Sequence, residues 1–190
     1  MSKRNRFALD RSTRFVGLTD TIVLFKNADV TEKIEYFLGL LNSKLLDFRF
    51  KGIAKLKGGG IYEYFWNSVS KLPIRRIDFG KRTDKSKHDD VVKLVTRIID
   101  STSRLQSVRS DAERGSIQNI ITASDRKIDA IVYELYGVSE AEQKIIEGDA
   151  VPEKSVRRKK KSISVPAKMA KSNSNPKKRL NISDLQGTLF

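Results

Sequence analysis

The side chains able to do chemistry in this chain are few, and their spacing argues against catalysis. The 190 residues contain no cysteine, which excludes thiol nucleophiles, disulfide frameworks and cysteine-type zinc sites, and suits a reducing cytoplasm. His88 is the one histidine and sits between Lys87 and Asp89. No motif supports a place for it in a Ser/His/Asp triad, and it reads as a solvated histidine at a helix N-terminus. Magnesium-dependent nucleases need an Asp followed by Asp/Glu-x-Lys. Asp89, Asp90 and Lys93 have those residue types without that spacing. They read as the acidic first turn of a helix, favoured by its dipole, with Lys93 on the exposed face. Gly58-Gly59-Gly60 is followed by Ile61 rather than by Lys-Ser/Thr, so it is no phosphate-cradling loop. An amino-group methyltransferase needs an Asn/Asp-Pro-Pro-aromatic turn, yet proline occurs only at 73, 152, 166 and 176, never paired. No catalytic centre, metal site or cofactor is expected in this chain.

Binding chemistry is better represented. Residues 44 to 87 hold twelve Lys or Arg against Asp47, Glu63, Asp78 and Asp84, interleaved with glycines and aromatics. The candidate nucleic-acid contacts are Lys51, Lys55, Lys57, Gly58, Gly59, Gly60, Tyr62, Tyr64, Trp66, Asn67, Lys71, Arg75 and Arg76. Basic side chains suit phosphates and base edges, the aromatics could pack, stack or wedge, and the glycines would let backbone approach a strand closely. The alternative is that the aromatics form core and the lysines are ordinary surface. The residues alone leave both open.

The net charge of +15 is unevenly placed. Residues 151 to 190 carry eleven Lys or Arg and two acids, so this stretch of Lys, Ser, Asn and Pro holds +9 of the excess. Such a composition cannot bury enough apolar surface to fold, and a disordered tail is expected from 149 to 190. No apolar run approaches the ~20 residues that span a bilayer, and Met1 to Arg6 lacks an apolar leader region. A cytoplasmic protein without membrane contact is expected.

The elements that must position the belt are legible in outline. Phe15 to Phe25 is rich in β-branched and aromatic residues and predicts one or two strands. Asp29 and Glu32 have capping-box spacing, and Ile34, Phe37, Leu38, Leu41, Leu45 and Phe48 predict a buried stripe on one helix over 31–48. Three glycines break the chain at 58–60, and Ile61 to Trp66 predicts a strand. Pro73 makes Leu72 to Ile77 an extended edge. From Ser86, apolar residues at helical spacing predict two long amphipathic helices joined near 109–115 and packed antiparallel. Gly137 suits the end of the second, and Ser139 with Glu142 forms a capping box for a short last helix. The predicted class is α+β: a small mixed β region with a packed helix over 1–85, a helical pair and short terminal helix over 86–148, then the tail.

Leu41-Asn42-Ser43-Lys44-Leu45-Leu46, the glycine-containing stretch ending in Tyr64-Phe65, and Leu72-Pro73-Ile74, in that order, resemble the C-terminal specificity domain of TaqI-like type II restriction-modification methyltransferases and endonucleases. The segment Arg126 to Glu142 is similar to the helical close of those enzymes. The resemblance implies a target-recognition part that reads double-stranded DNA in a phage-defence system. It further implies a catalytic partner, an adenine-specific methyltransferase or a nuclease, in which S-adenosylmethionine and Mg²⁺ would be used. Asn42 and Ser43 are expected to satisfy nearby backbone, or the Leu72-Pro73-Ile74 segment, rather than to read bases. Separately, Gln186-Gly187-Thr188-Leu189-Phe190 has the Gln-x-x-Leu-Phe form of peptides that dock on DNA sliding clamps, with Gln186, Leu189 and Phe190 as the contacts. That peptide supports a different reading, an interaction adaptor recruited to a clamp.

Overall fold

The computed structural model describes residues 4–12 and 22–148. These lie within one compact unit, Met1–Glu153. Its elements run α1 (Ile34–Asn42), α2 (Lys44–Lys51), β1 (Leu56–Lys57), a 3-10 turn (Gly58–Gly60), β2 (Ile61–Tyr62), α3 (Trp66–Val69), α4 (Arg82–Leu105), α5 (Asp111–Tyr136) and α6 (Glu140–Glu147). The class is α+β, with six helices and one two-stranded antiparallel sheet among the described residues. Among those residues no helix is long and apolar enough to cross a membrane.

The single helix predicted over 31–48 is in fact two. Ser43 adopts an extended conformation (φ −65°, ψ 154°), ending α1 and serving as the N-cap of α2. Its buried hydroxyl donates to the Leu40 carbonyl at 2.7 Å and accepts from the Leu46 N–H at 3.3 Å. A serine side chain that can bond backbone on both sides offers the chain an alternative to continuing the helix. The break changes the phase of the buried stripe. Tyr36, Leu40, Leu46 and Phe50 are the fully buried side chains, whereas Phe48, predicted to be core, is 48% exposed. Each of these buried side chains contributes about 1.5–3 kcal/mol of transfer free energy.

The predicted capping box at Asp29 and Glu32 does not form: α1 begins at Ile34 with Lys33 as an N-cap that makes no side-chain bond. Glu32 turns inward instead. The Lys33 N–H donates at 3.1 Å to Nε2 of His88, which is buried between the rings of Tyr36 and Phe79. The expectation of a solvated His88 is therefore wrong. Nε2 must carry the lone pair to accept from a backbone donor, so the proton sits on Nδ1, 2.9 Å from Asp89 Oδ1. That bond holds the Asp89 carboxyl below its ordinary range. Asp89 and Asp90 are likewise not first-turn residues, because α4 starts four residues earlier than expected, at Arg82.

The two long helices pair antiparallel as predicted. Lys87 meets Glu134 at 3.1 Å near one end, and Arg104 meets Glu113 at 3.5 Å near the other. Gly137 closes α5 in the left-handed region (φ 66°), and Ser139 with Glu142 forms the predicted capping box of α6. The predicted strands over 15–25 are absent from the part described: Ile22 to Phe25 join no ladder, and 13–21 lie outside the described residues. Of Ile61 to Trp66 only the first two residues are strand, because Phe65 becomes the N-cap of the one-turn helix α3. The tail from 149 also lies outside the described residues, and with it Gln186, Leu189 and Phe190.

Helix α1 lies against α4 at Gly39, where an added Cβ would stand 2.7 Å from Val91 Cγ1 and 3.0 Å from Val95 Cγ2. Gly39→Ala would gain about 1 kcal/mol of helix propensity but incur ~1–3 kcal/mol of overpacking. A net loss is expected, larger for Gly39→Val, as a lowered urea midpoint with unchanged m. A raised midpoint for Gly39→Ala would contradict the close approach.

Candidate nucleic-acid interface

The three residues at the α1–α2 break each hold a different piece of chain. The Leu41 carbonyl accepts from Asn5 Nδ2 at 2.8 Å. Asn42 bonds both backbone groups of Phe7, accepting from its N–H at 2.9 Å and donating to its carbonyl at 3.0 Å. Ser43 closes the elbow itself. Just beyond, the Lys44 N–H donates to Asp129 Oδ1 of α5 at 2.8 Å, and Lys44 Nζ reaches Glu147 of α6 at 2.9 Å. Burial pushes the Asp129 carboxyl up to about 6, against the pull of the Lys44 amide and charge. Asn42 and Ser43 thus satisfy backbone, as expected, but that of the N-terminal segment and their own helices rather than that of Leu72-Pro73-Ile74.

Leu72 to Ile77 forms an extended strap without a ladder partner, held by side chains from three elements. The Tyr136 hydroxyl, at the end of α5, donates to the Pro73 carbonyl at 2.6 Å and accepts from the Arg75 N–H at 3.0 Å. The Tyr36 hydroxyl donates to the Arg75 carbonyl at 2.8 Å. Glu32 Oε1 accepts from the Ile77 N–H and from Arg76 Nε, both at 2.8 Å. Burial would raise the Glu32 carboxyl, but the hydrogen bonds from Arg76 and Ile77 outweigh it and hold the group at about 2. Its other oxygen, Oε2, is buried without a partner.

Between elbow and strap lies a short hairpin, Leu56 paired with Tyr62 and Lys57 with Ile61. Its turn needs glycine, because Gly59 and Gly60 take φ of 77° and 74°. An added Cβ at Gly58, Gly59 or Gly60 would meet nothing within 4 Å, so the tip is open on all sides. Lys55, Lys57, Trp66, Asn67 and Lys71 are exposed around it, Trp66 at 65% and its neighbour Phe65 at 52%.

The candidate residues separate into three groups. Gly58 to Gly60, Lys55, Trp66, Asn67 and Lys71 are exposed, and Lys55 and Lys71 form no ion pair among the described residues. Four cations are paired within the fold: Lys51 with Asp47 at 2.6 Å, Lys57 with buried Glu63, Arg75 with Asp84 at 3.4 Å and Arg76 with Glu32. In each lysine pair the cation is the more exposed partner, so a phosphate can reach Lys51 and Lys57 from solvent. Tyr62 and Tyr64 are half-buried against the core. Tyr64 stacks on Phe50 at 4.4 Å, and its hydroxyl lies 2.9 Å from the Arg4 carbonyl and 3.0 Å from Asn5 Oδ1. Burial, with the nearby Asp47 charge, pushes that hydroxyl up to about 12, so it remains a donor that ties down the N-terminal segment. Sequence reasoning gives Tyr36 and Tyr136 no role and Glu32 only a capping one, because each partner lies more than thirty residues away in the chain. Among the described residues no cluster of three His, Asp or Glu side chains could hold a metal ion.

Glu32 gives a signed pH dependence. Its folded value near 2 lies below its ordinary 4.5, so its contribution to stability is present above about 4.5 and is lost as pH falls toward 2. Glu32→Gln is expected to flatten this part of the acid limb in urea titrations across pH 2–6. An unchanged limb would show that the carboxylate is not what holds the strap.

Comparison with known proteins finds similarity over the N-terminal part of the chain. The family model described as the TaqI-like C-terminal specificity domain matches residues 1–74. The type II methyltransferase M.HincII of Haemophilus influenzae is 33% identical over 102 residues, covering 52% of this chain and 20% of that protein. The type II methyltransferase M.HindII of Haemophilus influenzae strain ATCC 51907 / DSM 11121 / KW20 / Rd is also 33% identical over 102 residues, covering 52% of this chain and 19% of that protein. The matched part is thus about a fifth of each curated relative's length. No solved structure matches. The elbow, the hairpin and Leu72-Pro73-Ile74 all fall inside the matched stretch, and through residues 1–74 the family that this chain matches is that of the TaqI-like C-terminal specificity domain.

Proposed function

We propose that this chain is the sequence-specific DNA-binding part of a type II, adenine-specific methyltransferase of a restriction-modification, phage-defence system, acting in the cytoplasm. The observation that carries this reading is the specificity-domain match over residues 1–74, which contains the open glycine hairpin and all the candidate contacts except Arg75 and Arg76. The relatives are methyltransferases by name, and catalysis, with S-adenosylmethionine and Mg²⁺, is assigned to a partner carrying the catalytic half. In this reading Lys55 and Lys71 contact phosphates, and the hairpin tip presents backbone to a groove too narrow for side chains. Trp66, exposed as the first residue of the one-turn helix α3, serves to stack or wedge.

Selection of binding sequences from a random duplex pool by the full chain is expected to enrich one motif. Removing residues 151–190 should keep that motif while lowering affinity and the dependence on salt, since the tail's cations act through phosphates. If no motif is enriched, or if the preference vanishes with the tail, the reading fails.

The terminal Gln-x-x-Leu-Phe sequence supports a second activity for the same chain, docking on a DNA sliding clamp, with Gln186 in a polar pocket and Leu189 and Phe190 in an apolar one. A peptide of residues 180–190 should bind a purified clamp at micromolar concentration and lose binding on Phe190→Ala. Absence of binding at high micromolar concentration would remove it.

A further inference from the structure

The geometry points to Arg76 as a reader of guanine in duplex DNA, with Glu32 as the positioning residue that holds it for that contact. The inference rests on the DNA-binding reading above and adds to it one base identity and one buried partner. Arg76 is anchored on both sides: the backbone of Arg75 is held by the Tyr36 and Tyr136 hydroxyls, and the N–H of Ile77 by Glu32. Its side chain is nevertheless 60% exposed, while Glu32 is completely buried. The contact between them is single-pronged, Nε to Oε1 at 2.8 Å, and neither Nη makes a hydrogen bond among the described residues. A buried carboxylate thus holds the guanidinium by Nε and leaves both Nη groups of a mostly exposed side chain without a hydrogen bond among the described residues.

The Glu32 carboxylate serves Arg76 as well as the strap. A neutral glutamine oxygen could also accept from the Ile77 N–H, more weakly but without burying a charge. The charged form leaves Oε2 buried and unpartnered, which opposes folding. What the charge adds is a stronger, fixed hydrogen bond to Arg76. An arginine whose orientation is set before binding loses less side-chain entropy when it forms hydrogen bonds.

The same pairing favours a base edge over a phosphate. Phosphates attract through net charge, and the Arg76–Glu32 pair has none, unlike Lys55 and Lys71. The two Nη groups keep their N–H donors, and guanine O6 and N7 are the acceptor pair in the major groove that an arginine fork fits. The chain therefore separates two tasks: unpaired lysines supply attraction, and a neutralised arginine supplies discrimination.

The test uses the full chain and its R76A, R76K and E32Q variants. Binding sequences are enriched from a random duplex pool, and affinities for the preferred duplex and its single-base changes are measured at several salt concentrations. Wild type should enrich a motif with a guanine whose replacement by 7-deazaguanine weakens binding about tenfold. R76A and R76K should lose preference at that position alone, become insensitive to 7-deazaguanine there, and keep the wild-type salt slope. E32Q should weaken the same position while retaining the rest of the motif, which a merely structural role would not produce. R76K keeps a cation beside the buried Glu32 carboxylate, so it should fold and decide the matter even if R76A or E32Q does not. A uniform loss across sequences with a salt slope reduced by about one would make Arg76 a phosphate contact and overturn the proposal. An unchanged motif in R76A would overturn it as well, leaving the DNA-binding reading intact. No motif from wild type would overturn both.

Discussion

A single buried hydroxyl at Ser43 sets the geometry on which the candidate interface depends. By bonding the carbonyl behind it and the amide ahead of it, it divides one apolar stretch into two short helices. That division exposes the Leu41 carbonyl and the Asn42 side chain to the N-terminal segment and the Lys44 amide to α5. A continuous helix would bury or occupy most of these groups. The elbow turns polar groups at the helix break into attachment points for two other parts of the chain, the N-terminal segment and α5.

The neighbouring strap follows the same economy. It has no sheet partner, so its backbone groups need side-chain partners, and two tyrosines and one glutamate supply them. Burial keeps the Tyr36 and Tyr136 hydroxyls protonated, raising both above the ordinary phenol range. Helices α4 and α5 serve as a rigid back for this arrangement, with Gly39 allowing α1 to approach α4. The hairpin between elbow and strap is tied to the N-terminal segment at its base by Tyr64, Glu63 pairs with Lys57 across it, and its glycine tip is exposed.

Local signals in the chain were read well where the governing interaction is local. The antiparallel pair of α4 and α5 follows from apolar spacing, the end of α5 from Gly137, and the start of α6 from Ser139 and Glu142. The helix break was missed because Ser43 sits among leucines at uninterrupted helical spacing, and periodicity alone does not register a side chain competing for backbone bonds. Glu32 was read as a capping residue from its distance to Asp29, yet its partners are Arg76 and Ile77, forty-four and forty-five residues away. His88 was read as solvated from its charged neighbours, although the rings enclosing it come from Tyr36 and Phe79. At the candidate interface the sequence located the exposed cations and glycines but not the carboxylates that pair with four of the cations.

Asp129 and Tyr136 stand seven residues apart on α5, which is nearly two full turns and about 10 Å along its axis. One fastens the start of α2 and the other fastens the strap, so both rest on the same side of one rod. Helix α5 is therefore a ruler that fixes the spacing between the two parts bracketing the glycine hairpin. Adding one residue between these positions would swing one fastening by about 100° relative to the other. Changes of length between the two fastened parts can be absorbed at the exposed hairpin tip, but not along this stretch of the helix behind it.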